Sequence, residues 1–249
     1  MSASFKKKLG EKDLLLGTIL TLPSPEIVEI VCQAGIDWLF IDLEHSVLSF
    51  REAQRMLQVA GPEIPGLIRV PSHDDVWIKK ALDIGAAGII VPQVNTAADA
   101  KRAVQFCKYP PEGSRSVGIA RAQGYGDKFQ DYVASANQDI TVIVQVEHID
   151  AVANIEKILA VPGIDGLFVG PYDLSASMGK TGLTADPEVQ AAISKVKNAA
   201  SQKNLPLGIF GPTAEAVHPY IRDGYTLIAV GIDTMLIGKA VKEMMAALK

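Results

Sequence analysis

The sequence is short of cysteine, of aromatic residues and of excess charge, and these shortages exclude several classes of protein. Its two cysteines, Cys32 and Cys107, show no C-x-x-C spacing. Neither a disulfide framework nor a zinc site is therefore predicted, and a reducing cytoplasm is the expected location. The net charge is −4 without a long basic block, which disfavours nucleic acid and anionic membranes as partners. No apolar run has membrane-spanning length, and no signal-peptide pattern is present.

Strand-like apolar runs alternate with helical patterns along the chain, and apolar residues make up 48% of it. The predicted strands are 14–22, 38–44, 66–70, 88–93, 140–147, 166–173, 205–210 and 227–233. The predicted helices are 25–34, 50–59, 74–84, 97–107, 129–136, 150–159, 187–202, 214–222 and 234–248. Two helices have strong start signals, because Ser24 precedes Pro25 and Asp186 precedes Pro187.

Eight strand–helix units in 249 residues predict an α/β fold, a (β/α)8 TIM barrel formed by residues 1–249 as a single domain. The strands are continuous apolar runs, as expected for a parallel sheet covered by helices. A doubly wound open sheet is the alternative, but segment 18–27 lacks the Gly-rich fingerprint that often follows its first strand. The long segment 109–128 is either a functional loop or a surface excursion.

Polar residues collect where the strands of the predicted barrel end, which is the face that carries active sites in this fold. They are Asp42, Glu44, His45, Arg69, Gln93, Gln145, Glu147 and Asp173. Burying an unpaired carboxylate is very unfavourable. Glu147 and Asp173 end neighbouring strands, so we predict that they bind a hard divalent cation together with water and substrate oxygens. Otherwise, Glu147 complements a helix dipole and Asp173 is a helix N-cap.

The remaining polar residues at this face suggest acid–base chemistry and anion binding. Asp42 precedes His45 by three residues, and a carboxylate that orients an imidazole is a common acid–base device. The planar fork of Arg69 suits carboxylate or enolate oxygens, although Arg69 could instead be a salt-bridge partner of Asp42 or Glu44. The step from Gly170 into the next helix offers backbone N–H groups to a substrate carboxylate.

Together these segments resemble the class II, metal-dependent pyruvate aldolases. This family includes 4-hydroxy-2-oxoheptanedioate, 2-keto-3-deoxy-L-rhamnonate and 2-dehydro-3-deoxyglucarate aldolases, and it belongs to the phosphoenolpyruvate/pyruvate barrel superfamily. The resemblance covers about residues 16–237 and is carried by GIDWLFIDLEHS, LIRVP, PPEGSRSVG, VIVQVEH and GPYDLSASMG. It implies reversible cleavage of a 4-hydroxy-2-oxo acid to pyruvate or hydroxypyruvate and an aldehyde, through a metal-stabilised enolate.

The resemblance also implies roles for individual residues. Glu147 and Asp173 match the ligands of Mg²⁺, Mn²⁺ or Co²⁺, and Glu44 and Asp83 match residues at metal-bound waters. Arg69 matches the residue at the keto oxygen, and Asp42 and His45 match the proton-transfer pair. Gln145 matches a substrate contact, and the backbone of Tyr172 and Asp173 matches the site of the substrate carboxylate. Gly170 and Phe210 complete the implied substrate site. The family implies a hexamer built as a trimer of dimers that exchange the last helix. Tyr172, Phe210 and the segment SVGIARAQGYG depart from the family pattern, which leaves the aldehyde open.

Several rival functions are weaker on the residues present. A Schiff-base aldolase needs a lysine inside the barrel, and no predicted strand contains one. An acyl-CoA lyase of the citrate lyase β type needs basic residues for the CoA phosphates, and only Arg115 and Arg121 are available beyond Arg69. A phosphotransfer enzyme rests on fold analogy alone. A catalytically silent ligand-binding barrel predicts loss of a site residue, but all are present. Arg115, Arg121 and Tyr125 either recognise the far end of the aldehyde or form surface pairs.

Overall fold

A computed structural model describes residues 5–249, and its eight strands close into one parallel barrel. The strands are β1 (Leu15–Leu20), β2 (Trp38–Asp42), β3 (Gly66–Arg69), β4 (Gly88–Val91), β5 (Thr141–Val146), β6 (Gly166–Val169), β7 (Leu207–Gly211) and β8 (Leu227–Ile232). Each pairs with the next in chain order, and β8 pairs with β1. The predicted (β/α)8 barrel is therefore confirmed, and the open-sheet alternative is wrong.

Helices follow the strands on the outside of the barrel. Within the described residues they are α1 (Phe5–Gly10), α2 (Pro25–Gln33), α3 (Phe50–Ala60), α4 (Asp75–Asp83), α5 (Ala97–Cys107), α6 (Phe129–Asp139), α7 (Ile149–Ala153), α8 (Ile155–Leu159), α9 (Pro171–Ser177), α10 (Pro187–Gln202), α11 (Ala214–Arg222) and α12 (Asp233–Ala247). Ser24 and Asp186 cap α2 and α10 as predicted, each followed by proline. None of these helices combines the length and hydropathy that crossing a membrane requires.

Three features of the helices differ from the prediction. Helix α1 was not predicted. The predicted helix 150–159 is split at Asn154, whose side-chain Nδ2 donates a hydrogen bond to the carbonyl of Asn95. Segment 166–173 was predicted as one strand, but β6 ends at Val169 and α9 begins at Pro171. Proline fixes φ near the helical value and lacks only an N–H that the first helical turn leaves unpaired, so it starts a helix readily.

The interior of the barrel is filled by large apolar side chains in its lower part. Trp38, Phe40 and Phe168 pack in series, with ring centroids 5.8 Å and 5.5 Å apart. Glycines on other strands make room for them: a Cβ at Gly17 would lie 2.7 Å from the Trp38 ring, and one at Gly208 would lie 2.5 Å from Phe168. The aromatic packing thus fills the barrel as a core and leaves open only its upper end, where the strands finish.

Polar residues occupy the next inward-facing layer. Inward positions on a strand are two residues apart. Asp42 therefore follows Phe40, Gln145 follows the buried Ile143, and the same spacing brings Arg69 into this layer. This alternation places Asp42, Arg69 and Gln145 at the barrel mouth, the end at which the strands finish.

Helix α12 differs from the other long helices in its exposure. Asp233 is its only buried residue. Its exposed apolar side chains are Met235, Leu236, Ile237, Val241, Met244 and Met245. Beside β8, the outward-facing Leu16 of β1 and the preceding Leu14 are also exposed. A single chain therefore leaves the apolar side chains of α12 and the outward-facing Leu16 uncovered.

Candidate active site

A cavity of about 200 Å³ opens at the barrel mouth. The described residues that line it are Ile19, Thr21, Phe40, Asp42, His45, Arg69, Gln145, Phe168, Gly170, Pro171, Tyr172, Asp173, Phe210 and Ile232. They come from strands on both sides of the barrel and from the first turn of α9. Most of the residues predicted for catalysis and substrate binding therefore surround one space.

Arg69 is held in a buried ion pair with Asp42. Its Nε donates to Asp42 Oδ1 at 2.9 Å, and its Nη2 donates to Asp42 Oδ2 at 2.6 Å. The guanidinium carbon lies 5.2 Å from the centroid of the Phe40 ring, and Nε lies 3.3 Å from Glu44 Oε2. Arg69 is therefore a salt-bridge partner of Asp42, as one of the two interpretations predicted. The pairing fixes the orientation of a guanidinium that also lines the cavity.

His45 is placed differently from the predicted Asp42–imidazole pair. Asp42 Oδ1 accepts hydrogen bonds from the backbone N–H groups of Glu44 at 3.0 Å and His45 at 3.3 Å. The imidazole is well exposed, and its Nε2 lies 3.9 Å from Glu44 Oε2. Asp42 thus fixes the loop that carries His45, while the nearest carboxylate to the ring is that of Glu44.

Glu44 is a partly buried residue whose carboxyl group lacks a full set of hydrogen bonds. Its Oε2 accepts none among the described residues, because the nearby Arg69 Nε–H is donated to Asp42. Burial raises the pKa of Glu44 to about 7, and the negative charges of Glu147, Asp42 and Asp173 add to this effect while Arg69 opposes it. The group is therefore poised to exchange a proton or to accept a hydrogen bond near neutral pH.

Both oxygens of the buried Glu147 carboxylate are held by neighbours. Oε1 accepts from the backbone N–H of Gln93 at 2.7 Å, and Oε2 accepts from Nε2 of Gln145. Gln93 has a φ of 54°, a left-handed conformation that few non-glycine residues adopt. Burial raises the pKa of Glu147, and the nearby Asp173 carboxylate contributes in the same direction. These contacts fix the carboxylate beside a second negative group.

Asp173 lies in the first turn of α9 and not at a strand end, so its predicted position within a strand was wrong. The residue that caps α9 is Gly170, which also excludes the N-cap interpretation of Asp173. Pro171 turns the chain into the helix immediately after β6, and this turn carries Asp173 to the wall of the cavity. The alternative reading of Glu147 as a first-turn residue also fails, because His148 caps α7 after it.

The surroundings of Glu147 and Asp173 decide whether these two carboxylates suit a cation. Within residues 5–249, no cluster of three or more His, Cys, Asp or Glu side chains forms a metal site by itself. A Cβ on Gly170 would lie 2.9 Å from Glu147 Cβ and 3.0 Å from Glu147 Oε2, so glycine lets this side chain pack closely against the backbone. Two neighbouring carboxylates, of which Asp173 lines the mouth cavity, are oxygen donors of the kind that suits a hard cation with further ligands from water and substrate.

Gln145, like Glu44, has a buried oxygen that accepts no hydrogen bond among the described residues. Its Nε2 donates to Glu147, but its Oε1 is buried and accepts no hydrogen bond within the described part of the chain. An unpaired buried acceptor is unfavourable unless a ligand or water completes it. Because Gln145 lines the cavity, this oxygen is available to a donor on a bound substrate.

Asp83 is not brought to the mouth within a single chain. It ends α4, which descends from the mouth end of β3 towards the start of β4. Its Oδ1 lies 2.7 Å from Nη2 of the buried Arg115. Arg121 donates to the carbonyls of Ile84 at 3.1 Å and Leu57 at 3.3 Å. The role of Asp83 at metal-bound water stays a prediction, and neither arginine lines the mouth cavity.

One buried acidic residue at the mouth, Asp233, was given no role by sequence reasoning. Asp233 accepts hydrogen bonds from the backbone N–H groups of Thr21 and Leu22, each at 2.8 Å, and from Thr21 Oγ1 at 2.7 Å. It thereby joins the end of β1 to the start of α12. An acidic residue at the last predicted strand end was the available signal, but its partners lie over 200 residues away in the sequence.

A larger groove of about 610 Å³ lies beside the mouth cavity. Pro171, Tyr172 and Phe210 line both spaces, so these residues form the boundary. The rings of Tyr172 and Phe210 have centroids 6.1 Å apart, and Tyr172 is 42% exposed. An aromatic pair therefore lies at the boundary between the mouth cavity and the groove.

Comparison with known proteins places this chain in a family. The model of the HpcH/HpaI aldolase/citrate lyase family matches residues 16–240. A 4-hydroxy-2-oxovalerate aldolase of Rhodococcus jostii (strain RHA1) is 40% identical, with 98% of this chain and 95% of that protein covered. A 2-dehydro-3,6-dideoxy-6-sulfogluconate aldolase of Pseudomonas putida is 39% identical, with 94% and 92% covered. The crystal structure of an HpcH/HpaI aldolase/citrate lyase family protein from Burkholderia cenocepacia J2315 is 35% identical, with a TM-score of 0.94 and 98% of both chains covered.

Proposed function

The chain belongs to the HpcH/HpaI aldolase/citrate lyase family, and we propose that it reversibly cleaves a 4-hydroxy-2-oxo acid to pyruvate, or hydroxypyruvate, and an aldehyde. The observation that carries the proposal is the convergence of Arg69, Asp42, Asp173 and the exposed imidazole of His45 around one cavity, with the buried Glu147 beside Asp173. The predicted family resemblance and aldolase activity are confirmed by the relatives, which are named aldolases over nearly the whole chain.

Glu147 and Asp173 would hold a divalent cation, Mg²⁺, Mn²⁺ or Co²⁺, beside Gly170. Oxygen donors and room for water suit such ions, and when bound the cation supplies Lewis-acid stabilisation of an enolate oxygen. Gln93 and Gln145 hold the Glu147 carboxylate in place from opposite sides. The pKa of Glu147 is raised by burial, so a cation in this space would also stabilise its charged form.

Arg69 would stabilise negative charge on the keto oxygen of the substrate. Its Nε and Nη2 are occupied by Asp42, which fixes the orientation of the guanidinium and leaves Nη1 for the substrate. A fixed donor that faces developing charge lowers the barrier without reorganisation during the reaction. The substrate carboxylate would bind the free N–H groups of Tyr172 and Asp173 in the first turn of α9, and Gln145 Oε1 would accept a substrate hydrogen bond.

His45 would transfer the proton. In cleavage it accepts the proton of the C4 hydroxyl, the C3–C4 bond breaks, and the electron pair of that bond enters the enolate of pyruvate. Protonation of the enolate at C3 completes pyruvate, and the former C4 carbon leaves as the aldehyde. Asp42 accepts hydrogen bonds from the backbone of Glu44 and His45 and so fixes both residues. The exposed imidazole and the nearby Glu44 carboxyl give this proton a route to solvent.

Two rival mechanisms find no support at this cavity. A Schiff base needs a lysine beside the substrate, and none of the described residues that line the cavity is a lysine. A CoA thioester needs cations for its phosphates, and Arg115 and Arg121 are directed to Asp83 and to backbone carbonyls instead. The metal-enolate mechanism is therefore the one that these residues favour.

The test is pyruvate release from 4-hydroxy-2-oxovalerate by the purified protein, coupled to lactate dehydrogenase. We expect release with added Mn²⁺ or Mg²⁺, loss of release after treatment with a chelator, and no inactivation when borohydride is added with substrate. Borohydride inactivation with a trapped lysine adduct would replace this mechanism by a Schiff-base one. A protein that releases no pyruvate with any of these metals would refute the proposed function.

We also propose a hexamer built from dimers that exchange α12, with the protein in the cytoplasm. The support is the exposed apolar side chains of α12 and the exposed Leu14 and Leu16 beside β8, since apolar surface of this kind is normally buried against a partner. Both cysteines are free, which suits a reducing compartment. Light scattering and small-angle X-ray scattering would measure the assembly.

A further inference from the structure

We infer that Thr21 is a specificity-determining residue, which accepts a hydrogen bond from a hydroxyl group on the aldehyde part of the substrate. The inference rests on the proposed function and concerns the part of the substrate beyond the enolate. It follows from three observations: the position of Thr21 at the mouth, the direction of the hydrogen bond that its hydroxyl makes, and the apolar side chains around it.

Thr21 lies on the side of the mouth opposite the proposed cation site. It directly follows β1 and lines the cavity together with Ile19, which is two residues earlier and faces the same way. In the closed barrel of eight strands, β1 stands opposite β5, the strand that Glu147 follows. The neighbour of β1 is β2, which leads to His45. A keto acid bound at Glu147 and Asp173 would therefore extend towards His45 and Thr21.

Asp233 determines the direction in which the Thr21 hydroxyl donates. The Asp233 residue is 2% exposed, and its Oδ1 accepts from Thr21 Oγ1 at 2.7 Å and from the N–H of Thr234 at 2.8 Å. Its Oδ2 accepts from the backbone N–H groups of Thr21 and Leu22, each at 2.8 Å. Every one of these contacts is donated to the carboxylate, so the single proton of the Thr21 hydroxyl is directed at Asp233.

The Thr21 oxygen is left as a hydrogen-bond acceptor at the cavity. A hydroxyl group has one proton and two lone pairs, and no group among the described residues donates to Thr21 Oγ1. Donation to a carboxylate also polarises the hydroxyl and strengthens its oxygen as an acceptor. Because Thr21 is only partly buried and lines the cavity, a ligand donor such as a hydroxyl group would complete its hydrogen bonding.

The side chains around Thr21 provide no other partner for a substrate hydroxyl. Besides Thr21, the described lining residues on β7, β8 and β1 are Phe210, Ile232 and Ile19, all of them apolar. A hydroxyl that faced these side chains would lose its hydrogen bonds to water without replacement. Thr21 replaces one of them, so an aldehyde with a hydroxyl at this place fits the wall better than one with a methyl group there.

The size of the cavity places this hydroxyl close to the reacting carbon. A volume of about 200 Å³ corresponds to roughly seven water molecules at ~30 Å³ each, and it must hold pyruvate as well as the aldehyde. A short aldehyde fits beside pyruvate in this space. The hydroxyl that reaches Thr21 therefore belongs to the carbon next to the aldehyde carbon.

The experiment compares two aldehydes of matched shape in the synthetic direction, with pyruvate as donor and Mn²⁺ present. 2-Hydroxypropanal, tested as each enantiomer, and 2-methylpropanal have the same number of non-hydrogen atoms, and a hydroxyl in one replaces a methyl in the other. The readout is the ratio of their kcat/KM values in one protein, because this ratio cancels any change in enolate formation.

Thr21→Val removes the oxygen and keeps the branched shape. We expect it to lower the ratio for the preferred enantiomer by about tenfold or more. Thr21→Ser keeps the hydroxyl and should stay within about threefold of the wild type. Thr226→Val is the matched control, since Thr226 precedes β8 at the far end of the barrel and its buried oxygen has no partner among the described residues. This control should keep the wild-type ratio.

An unchanged ratio in Thr21→Val would overturn the inference. If that variant instead lowered kcat/KM for hydroxypyruvate relative to pyruvate, the contact would belong to the enolate part. Thr21→Ala, which also lacks the oxygen, is the second variant, and its ratio should fall to the same extent. Loss of all aldol product in both variants would show that Thr21 maintains the whole site, which contradicts its assignment to the aldehyde.

Exchange of the pyruvate methyl protons with D₂O in the wild type, followed by NMR, separates the two proposals because it needs no aldehyde. Exchange together with equal ratios in the wild type and Thr21→Val would refute the inference and leave the enolate chemistry standing. Absence of both exchange and aldol product in the wild type would refute the proposed function and the inference with it.

Discussion

Arg69 and Asp42 form a buried ion pair with two parallel hydrogen bonds, of 2.9 Å and 2.6 Å, at the ends of two neighbouring strands. The same Asp42 carboxylate accepts hydrogen bonds from the backbone of Glu44 and His45. One side chain therefore positions both the cationic group that would face the keto oxygen and the loop that carries the proton-transfer imidazole. The enolate chemistry and the proton chemistry of the site are coupled through Asp42.

The first prediction concerns this pair. Arg69→Lys keeps the charge but loses the planar fork, so the cation can no longer bind Asp42 through two bonds and face the substrate at once. We expect kcat to fall by about 10² or more. Arg102→Lys is the matched control, since Arg102 forms an exposed pair with Asp99 at 2.6 Å. Steady-state kinetics that gave the Arg69 variant a kcat within about threefold of the wild type would contradict this role.

The second prediction concerns the space beside Glu147. Gly170→Ala places a Cβ 2.9–3.0 Å from Glu147, so the carboxylate must move from its position between Gln93 and Gln145. We expect Mn²⁺ affinity, measured by calorimetry, to fall by about tenfold or more, the range found when groups that orient metal ligands are lost. Gly10→Ala, at a position where a Cβ meets nothing within 4 Å, is the control. Equal Mn²⁺ affinity of the two variants would show that Gly170 has no part in the cation site.

The third prediction separates the backbone of Gln93 from its side chain. Gln93→Gly retains the N–H that donates to Glu147 Oε1 and suits the φ of 54°, so Mn²⁺ affinity should stay unchanged. Gln93→Pro removes the N–H and forces φ to about −65°. We expect it to lower the Mn²⁺ affinity strongly and to reduce the melting temperature. Loss of affinity in the glycine variant would instead assign the function to the Gln93 side chain.

The fourth prediction follows from the pKa of Glu44, which burial and its acidic neighbours raise to about 7. A carboxyl group with a raised folded-state pKa favours folding below its unfolded value near 4.5 and loses this contribution as the pH rises through about 7. The difference corresponds to at most roughly 3 kcal/mol, at ~1.36 kcal/mol for each pH unit. In metal-free protein, stability should therefore fall more steeply between about pH 5 and 8 in the wild type than in Glu44→Gln.

Denaturant unfolding of metal-free protein at several pH values measures this difference. Glu156→Gln, on the exposed side of α8, should keep the wild-type slope. Added Mn²⁺ should flatten the wild-type slope, because a cation near Glu147 and Asp173 would lower the pKa of Glu44. Parallel slopes for the wild type and Glu44→Gln would show that Glu44 is ionised in the metal-free protein at all these pH values.

The barrel and most of its site could be predicted because they depend on local sequence patterns. Continuous apolar runs of strand length identify the eight strands, and residues two apart on a strand share a side. Asp42, Arg69, Gln145 and Glu147 were assigned to the mouth because they end predicted strands. The first three line the mouth cavity, and Glu147 directly follows β5. The fold thus follows from periodicity and requires little knowledge of long-range contacts.

The features that could not be predicted depend on contacts that are distant in sequence or on a local change of structure. Asp173 was assigned to a strand because it ends an apolar run. The helix α9 starts inside this run, at Pro171. The link between Asp233 and Thr21 joins the two ends of the chain. The partner of Arg115 is Asp83, 32 residues away, and no spacing rule identifies such a pair.

Exchange of the methyl protons of pyruvate with D₂O, measured by NMR, tests the central claim most directly, since it reports enolate formation in this site without an aldehyde. We predict exchange in wild-type protein loaded with Mg²⁺, no exchange after removal of the metal, and loss of exchange in Glu147→Gln together with weakened binding of Mn²⁺ in calorimetry. The control Glu156→Gln should exchange at the wild-type rate. Exchange at the same rate in the metal-free protein, or undiminished exchange in Glu147→Gln, would contradict the metal-enolate account.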